Sequence, residues 1–358
     1  MANAGPAPSS SNMPSSRSPT VLASRLTPPG RGALAVVGVA GAGAALVVDR
    51  AFAARGGRPV AAREDGVHCH GGVAAAAAVV ASLIALGAEE APWPRWLAAV
   101  GASESVVEAH ESLARAGGPK SARILARQAA GTLDAEVARI EGLRDAGDHA
   151  AADESVARLL RAARVGLRLA RPWRVVVAGP VNAGKSSLVN ALAGHSRCIV
   201  STEPGTTRDL VETRIVLDGW EVELVDTAGL RGHGDAPDPV ERAGIARAES
   251  AAAGADLVLR VWPGNAGPLP TQPGELLVVS KIDVWPTGCG WPVDAMPTSA
   301  VTGAGIADLA AAIVARLVPE DRTEPDLLAG AVPFTPRQVA FIRGLTRPAA
   351  SPSSSGRG

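Results

Sequence analysis

Residues 174–192, RVVVAGPVNAGKSSLVNAL, constrain this chain more than any other stretch. A β run leads into G-x-x-x-x-G-K-S and then into a helical run, the order of elements that builds a cradle for phosphate. Gly179 permits the sharp turn and Gly184 lets the backbone close on a phosphate group. The amides around them, from Asn182 and Ala183 to Ser187, join the helix N-terminus as oriented donors. Lys185 then spans the β- and γ-phosphates of a nucleotide, and Ser186 ligates Mg²⁺. The alternative is a glycine-rich turn between strand and helix, which the flanking elements disfavour. Lysine usage sharpens the point, because Lys120, Lys185 and Lys281 are the three lysines among 35 basic residues. Where arginine is otherwise the cation, a lysine marks a place that needs a compact ammonium.

Lys281 falls in VVSKID, 278–283, at the end of a second β run, and S-K-x-D there is similar to the N-K-x-D element that reads guanine. Asp283 would accept the guanine N1 and N2 hydrogens together, which adenine cannot satisfy, while the Lys281 stem packs on the base. Ser280 stands in place of asparagine, which removes an amide and costs about 1 kcal/mol of binding. Between the two motifs lie EPGTTRD, 203–209, and VDTAGL, 225–230. Asp226 follows a β run, where its carboxylate can hold Mg²⁺ through water. The Gly229 amide can sense a γ-phosphate, and Thr207, next to Thr206, can close the metal shell. Ser299 and Ala300, ahead of a helical run, complete the series by approaching the guanine O6 with backbone.

The rest of the chain fits a protein of roughly two domains, with 47% hydrophobic and 20% charged residues. Basic and acidic residues balance at 35 each, so no global positive field holds a nucleic acid and any such contact is local. Cys69, Cys198 and Cys289 are far apart, without a C-x-x-C pair, which fits a reducing, cytoplasmic compartment. The uncharged runs 33–48 and 73–88 have 16 residues each, short of the roughly 18 a membrane span needs, so no membrane segment is expected.

Composition divides the chain into a Ser/Pro-rich tail (1–20), a small α+β unit (21–100), a helical segment (101–171), a nucleotide domain (172–318), a C-terminal helical piece (319–346) and a second tail (347–358). In the α+β unit a strand is expected over 32–39, a helix over 42–54 and a turn over 67–72. His68 and His70 would share one face if that turn were extended. A metal site needs about four ligands, however, so a packed turn is the expectation. Two or three amphipathic helices should follow, broken at 117–119 and at Gly147. In the nucleotide domain β runs at 174–178, 214–217, 221–225, 256–261 and 276–279 alternate with helical or Gly-rich segments, the pattern of a mostly parallel sheet. Segments 263–274 and 284–292 are too short or too broken for crossover helices, leaving a sheet face on which Trp262, Trp285 and Trp291 are candidates to form lids or to meet a partner. A last helix is expected over 335–345.

Taken in order, these motifs resemble the translation-factor-like class of P-loop GTPases and, within it, the MnmE (TrmE) family of tRNA-modification GTPases. The loop matches the family's G-x-P-N-A-G-K-S-S-L-x-N-A-L except for Val181 in place of proline, and G-T-T-R-D and D-T-A-G-L-R match as well. The resemblance implies an α/β G domain that binds GTP or GDP with Mg²⁺ held by Ser186, Thr207 and Asp226. It implies K⁺ on Asn182, and Glu241, in PVERAGI, positioning the attacking water. Lys185, Thr207 and Gly229 would assist catalysis. LTPPGRGALAVV (26–37) and VHCHGG (67–72) are similar to the family's N-terminal domain, implying 5-formyl-tetrahydrofolate binding, a homodimer through N-terminal and G domains, and an MnmG-like partner with tRNA. Two departures modify this expectation. Residues 51–66 are shorter than the family's corresponding stretch, and Cys289 is the last cysteine where the family carries a C-terminal C-x-G-K. A stand-alone regulatory or assembly GTPase without a tRNA-modifying role, or a decayed paralogue, is therefore the rival reading.

Overall fold

The computed structural model describes residues 20–28, 32–52, 66–196, 199–200, 211–226, 254–263, 273–285 and 291–346. The chain divides into two compact units, 1–107 and 108–358.

In the first unit, β1 (Leu22–Arg25), β2 (Leu34–Ala40), β3 (Val67–His70) and β4 (Glu89–Glu90) form a sheet in the order β3-β2-β1-β4. Helices α1 (Ala44–Ala51), α2 (Val73–Ala85) and α3 (Trp93–Ala99) complete the unit. Ala23, Val37, Val48, Val80 and Leu83 lie in its core. β1 carried no expectation, being only four residues long. The segment 67–72 corrects another expectation: residues 67–70 are a strand, paired antiparallel with β2, and only 71–72 turn into α2. Alternation is the reason, since Val67 and Cys69 face inward while His68 and His70 are exposed. Among the described residues no group of three or more His, Cys, Asp or Glu could hold a metal ion. None of the described helices is long and apolar enough to cross a membrane.

The second unit opens with helices. After α4 (Glu104–Leu113) come α5 (Pro119–Ala129), α6 (Thr132–Asp145) and α7 (His149–Gly166), one more than expected because Gly131, at φ 87°, breaks the run. The sheet that follows contains β5 (Trp173–Ala178), β6 (Ile199–Val200), β7 (Val211–Leu217), β8 (Trp220–Asp226), β9 (Leu257–Trp262), β10 (Leu276–Val279) and β11 (Met296–Pro297). Their order is β11-β10-β9-β5-β8-β7-β6. The five strands from β11 to β8 are parallel, whereas β7 and β6 run antiparallel to their neighbours. The sheet is thus mixed at one edge. Asp218-Gly219, at φ 45° and 84°, makes a two-residue turn that can only return the chain antiparallel.

Between strands and after them stand α8 (Lys185–His195), α9 (Ile306–Leu317), α10 (Glu320–Thr323), α11 (Pro325–Ala329) and α12 (Pro336–Gly344). Leu188 and Leu192 of α8 and Leu309 and Ile313 of α9 pack with Val175, Leu224 and Leu259 of the sheet. Trp262 and Trp291 pack on Leu277, Val279 and Ala295, and Trp285 meets Trp291 edge-on at 6.0 Å. Trp262 and Trp291 therefore cover apolar surface of the sheet.

The segment after α9 returns to the helices that precede the sheet. Ile342 of α12 shares a core with Leu133, Ile140, Val156 and Leu159. Arg337 donates to both oxygens of Glu108 at 3.0 and 2.9 Å, and Gln338 donates to the same carboxylate at 2.7 Å. Buried Gln128 donates to the Gly330 carbonyl and accepts from the Val332 amide, both at 3.2 Å. One helical layer is thus assembled from chain on both sides of the nucleotide domain.

Candidate nucleotide-binding site

The site forms at the carboxyl ends of β5, β8, β10 and β11, where an open α/β sheet binds ligands. β5 is buried along nearly its whole length and stops at Ala178. The next residue must be glycine: a Cβ on Gly179 would stand 2.2 Å from the Val261 carbonyl oxygen. The loop then closes through Asn182, in left-handed conformation at φ 60°, and Gly184 caps α8. The first-turn amides of α8 have no partner within the helix and point out of its end.

Lys185 is buried, and its Nζ donates to the carbonyls of Gly179 at 3.0 Å and Pro180 at 2.8 Å. The ammonium is thereby held against the concave side of the loop. Ser186 Oγ donates to the buried Asp226 carboxylate across 40 residues. That bond takes up the hydroxyl hydrogen and leaves oxygen lone pairs for a cation. Ser186 and Asp226 therefore suit Mg²⁺, a hard ion that takes oxygen ligands. Asn182 is exposed, with a side-chain oxygen of the kind K⁺ would need.

The 280–283 segment is strapped to the phosphate loop. Ser280 Oγ donates to the Ala183 carbonyl at 2.6 Å, with the Trp262 carbonyl a second acceptor at 3.2 Å. Lys281 Nζ donates to the Asn182 carbonyl at 2.6 Å. Asp283 is exposed in a short 3₁₀ turn, Ile282–Val284. The Ile282 amide donates to the Thr298 carbonyl at 3.2 Å, which brings the buried Ser299 and then Ala300 beside this turn. Thr302 N donates to Ser299 Oγ at 3.1 Å, shaping that loop. The structure thus brings together Gly179 to Ser187, Asp226, Ser280, Lys281, Asp283, Ser299 and Ala300. Thr206, Thr207, Gly229 and Glu241 lie outside the described residues. Trp262 escaped the sequence reading as a member of the site, because it contributes a backbone carbonyl and a carbonyl leaves no residue-type signal.

A family model described as "50S ribosome-binding GTPase" matches residues 174–280. The tRNA modification GTPase MnmE of Acidiphilium cryptum (strain JF-5) is 38% identical over 310 residues, covering 77% of this chain and 69% of that protein. The chain belongs to the MnmE family of tRNA modification GTPases. The MnmE of Sphingopyxis alaskensis is 35% identical over 285 residues, covering 69% of this chain and 67% of the relative. That of Methylobacterium sp. (strain 4-46) is 46% identical over 156 residues, 44% of this chain and 35% of its own length. The chain therefore spans about two thirds of some MnmE relatives and about a third of others. The nucleotide domain is an α/β P-loop GTPase domain whose mostly parallel sheet has one antiparallel edge.

Proposed function

We propose that this MnmE-family protein binds GTP at the loop 179–187, hydrolyses it, and uses the cycle as a conformational switch in tRNA wobble-uridine modification. The observation that carries this reading is the convergence on one loop of Lys185, the Ser186–Asp226 pair and the Ser280–Lys281 strap. Lys185 gives up its carbonyl partners for the β- and γ-phosphates, neutralising charge that grows during transfer. Ser186, Asp226 and Thr207 would hold Mg²⁺, which would supply further neutralisation of the charge that grows during transfer. Asp283 pairs with the guanine edge, and Ser299 and Ala300 approach O6 with backbone. Gly229 donates to the γ-phosphate, Glu241 orients the attacking water, and Asn182 holds K⁺ beside the phosphates.

The names of the relatives support a role in tRNA modification, and an MnmG-like partner and a cytoplasmic location are part of the same proposal. The homodimer through N-terminal and G domains belongs to the same reading. The direct test is GTP turnover by the purified protein in KCl and in NaCl. Turnover stimulated by K⁺ is expected. Equal rates in the two salts would remove Asn182 as a cation ligand, and absence of turnover in both would remove hydrolysis from the proposal.

A further inference from the structure

Guanine carries donors on one side of its ring system, N1–H and N2–H₂, and acceptors on another, O6 and N7. A protein that reads both sides needs an acceptor for the first and donors lying near the ring plane for the second. The two ends of the 280–283 tetrapeptide are unequally equipped for this. Asp283 is exposed and, as a carboxylate, accepts only, which suits N1 and N2. Ser280 is buried, 5% exposed, directly after the fully buried β10.

Both hydrogens that Ser280 can donate are engaged within the protein. Its amide donates to the Trp262 carbonyl at 2.9 Å. Its hydroxyl donates to the Ala183 carbonyl at 2.6 Å, and the Trp262 carbonyl at 3.2 Å is the other acceptor within reach. A single hydroxyl hydrogen thus stands between two carbonyl oxygens, and either choice keeps it from a ligand. Freeing it would strand a loop carbonyl without its donor. What Ser280 has left to show a base is an oxygen lone pair, and N7 is a lone pair as well, so the two do not bond. Lys281 does not take over this task. Its Nζ donates to the Asn182 carbonyl at 2.6 Å, which draws the end of the side chain onto the phosphate loop. In the proposed function its stem packs on the face of the base, outside the ring plane in which N7 accepts.

We propose that this site recognises guanine through N1, N2 and O6 and leaves N7 unread, so that nucleotides of 7-deazaguanine, in which a C–H replaces N7, are full ligands. Ser280 decides this: it holds the phosphate loop for any nucleotide and contributes nothing to the choice among guanines altered at position 7. The inference rests on the GTP-binding reading and deepens it, since Asp283 and the backbone of Ser299 and Ala300 then carry base selection alone.

Affinities for GDP, 7-deaza-GDP and ADP are measured by titration calorimetry for wild type, Ser280→Ala and Ser280→Asn. Wild type should bind GDP and 7-deaza-GDP within about twofold of each other, less than one net hydrogen bond is worth. Ser280→Ala should keep that ratio while binding both more weakly. An asparagine amide carries two hydrogens, one for the Ala183 carbonyl and one for N7, so Ser280→Asn should prefer GDP by about fivefold, the worth of one net hydrogen bond. A preference for GDP of that size in wild type overturns the proposal. Folded Ser280→Asn that binds GDP without the preference overturns Ser280 as the deciding residue, and if that variant does not fold, the wild-type and Ser280→Ala ratios decide. Failure of the underlying reading looks different: wild-type protein would bind ADP as well as GDP, or would bind no nucleotide.

Discussion

The Ser280 hydroxyl reaches across 97 residues of chain to donate to the carbonyl of Ala183 at 2.6 Å. Serine in this position keeps a tether between the base-reading segment and the phosphate loop, and commits its single hydrogen to it. Ser280→Ala deletes the tether and leaves the carbonyl without that donor. We expect weaker binding of GTP and GDP alike, by about 1 kcal/mol or roughly fivefold, because the strap positions the loop for both. Titration calorimetry checks this, and affinities equal to wild type would show that the strap is not needed for binding.

Lys185→Ala should abolish binding of either nucleotide while leaving the fold in place. The ammonium donates to the loop carbonyls of Gly179 and Pro180, so its loss removes phosphate neutralisation and little of the core. Nucleotide titration together with a melting curve separates the two effects. Retained affinity in a folded variant would contradict the phosphate-loop assignment.

The proposed function gives guanine selectivity to Asp283, which is exposed and outside the hydrophobic core. GTP, and not ATP, should displace a labelled GTP analogue from wild-type protein. Asp283→Ala should lose about tenfold or more of that preference without a change in melting temperature, because hydrogen bonds to a charged group contribute about 1.5–3 kcal/mol. Equal displacement by ATP and GTP from wild type would place base recognition elsewhere.

Glu221 on β8 supplies a pH dependence. Burial pushes its carboxyl above the ordinary glutamate value; Arg214 opposes the shift and Glu223 adds to it. A folded-state pKa above the unfolded one means that ionisation costs stability, fully so above the folded value and not at all below the unfolded value. Glu221→Gln should therefore be more stable than wild type at pH 8, with the advantage shrinking as pH falls into the ordinary glutamate range. Urea midpoints at several pH values test it. A difference that stays constant with pH would mean that Glu221 is not penalised for its charge.

The sequence alone determined the parts of this protein that are written in short windows. The β runs 174–178 and 276–279 fall on strands Trp173–Ala178 and Leu276–Val279. The phosphate loop is where its glycines put it, because φ preferences and close backbone approach are local properties. Tertiary structure decided what lies beyond such windows. Ser280 meeting Ala183, Lys120 bridging Asp218 and Asp321, and Arg337 closing on Glu108 each join residues 97 to 229 positions apart. The antiparallel edge was encoded in Asp218-Gly219, yet reading it required knowing that both flanking runs were strands of one sheet. The helical layer shows the same limit: α12 follows the nucleotide domain and packs with helices that precede it. Periodicity predicts that a helix has an apolar face. Which surface that face covers is decided only when the intervening chain has folded and brought distant segments together.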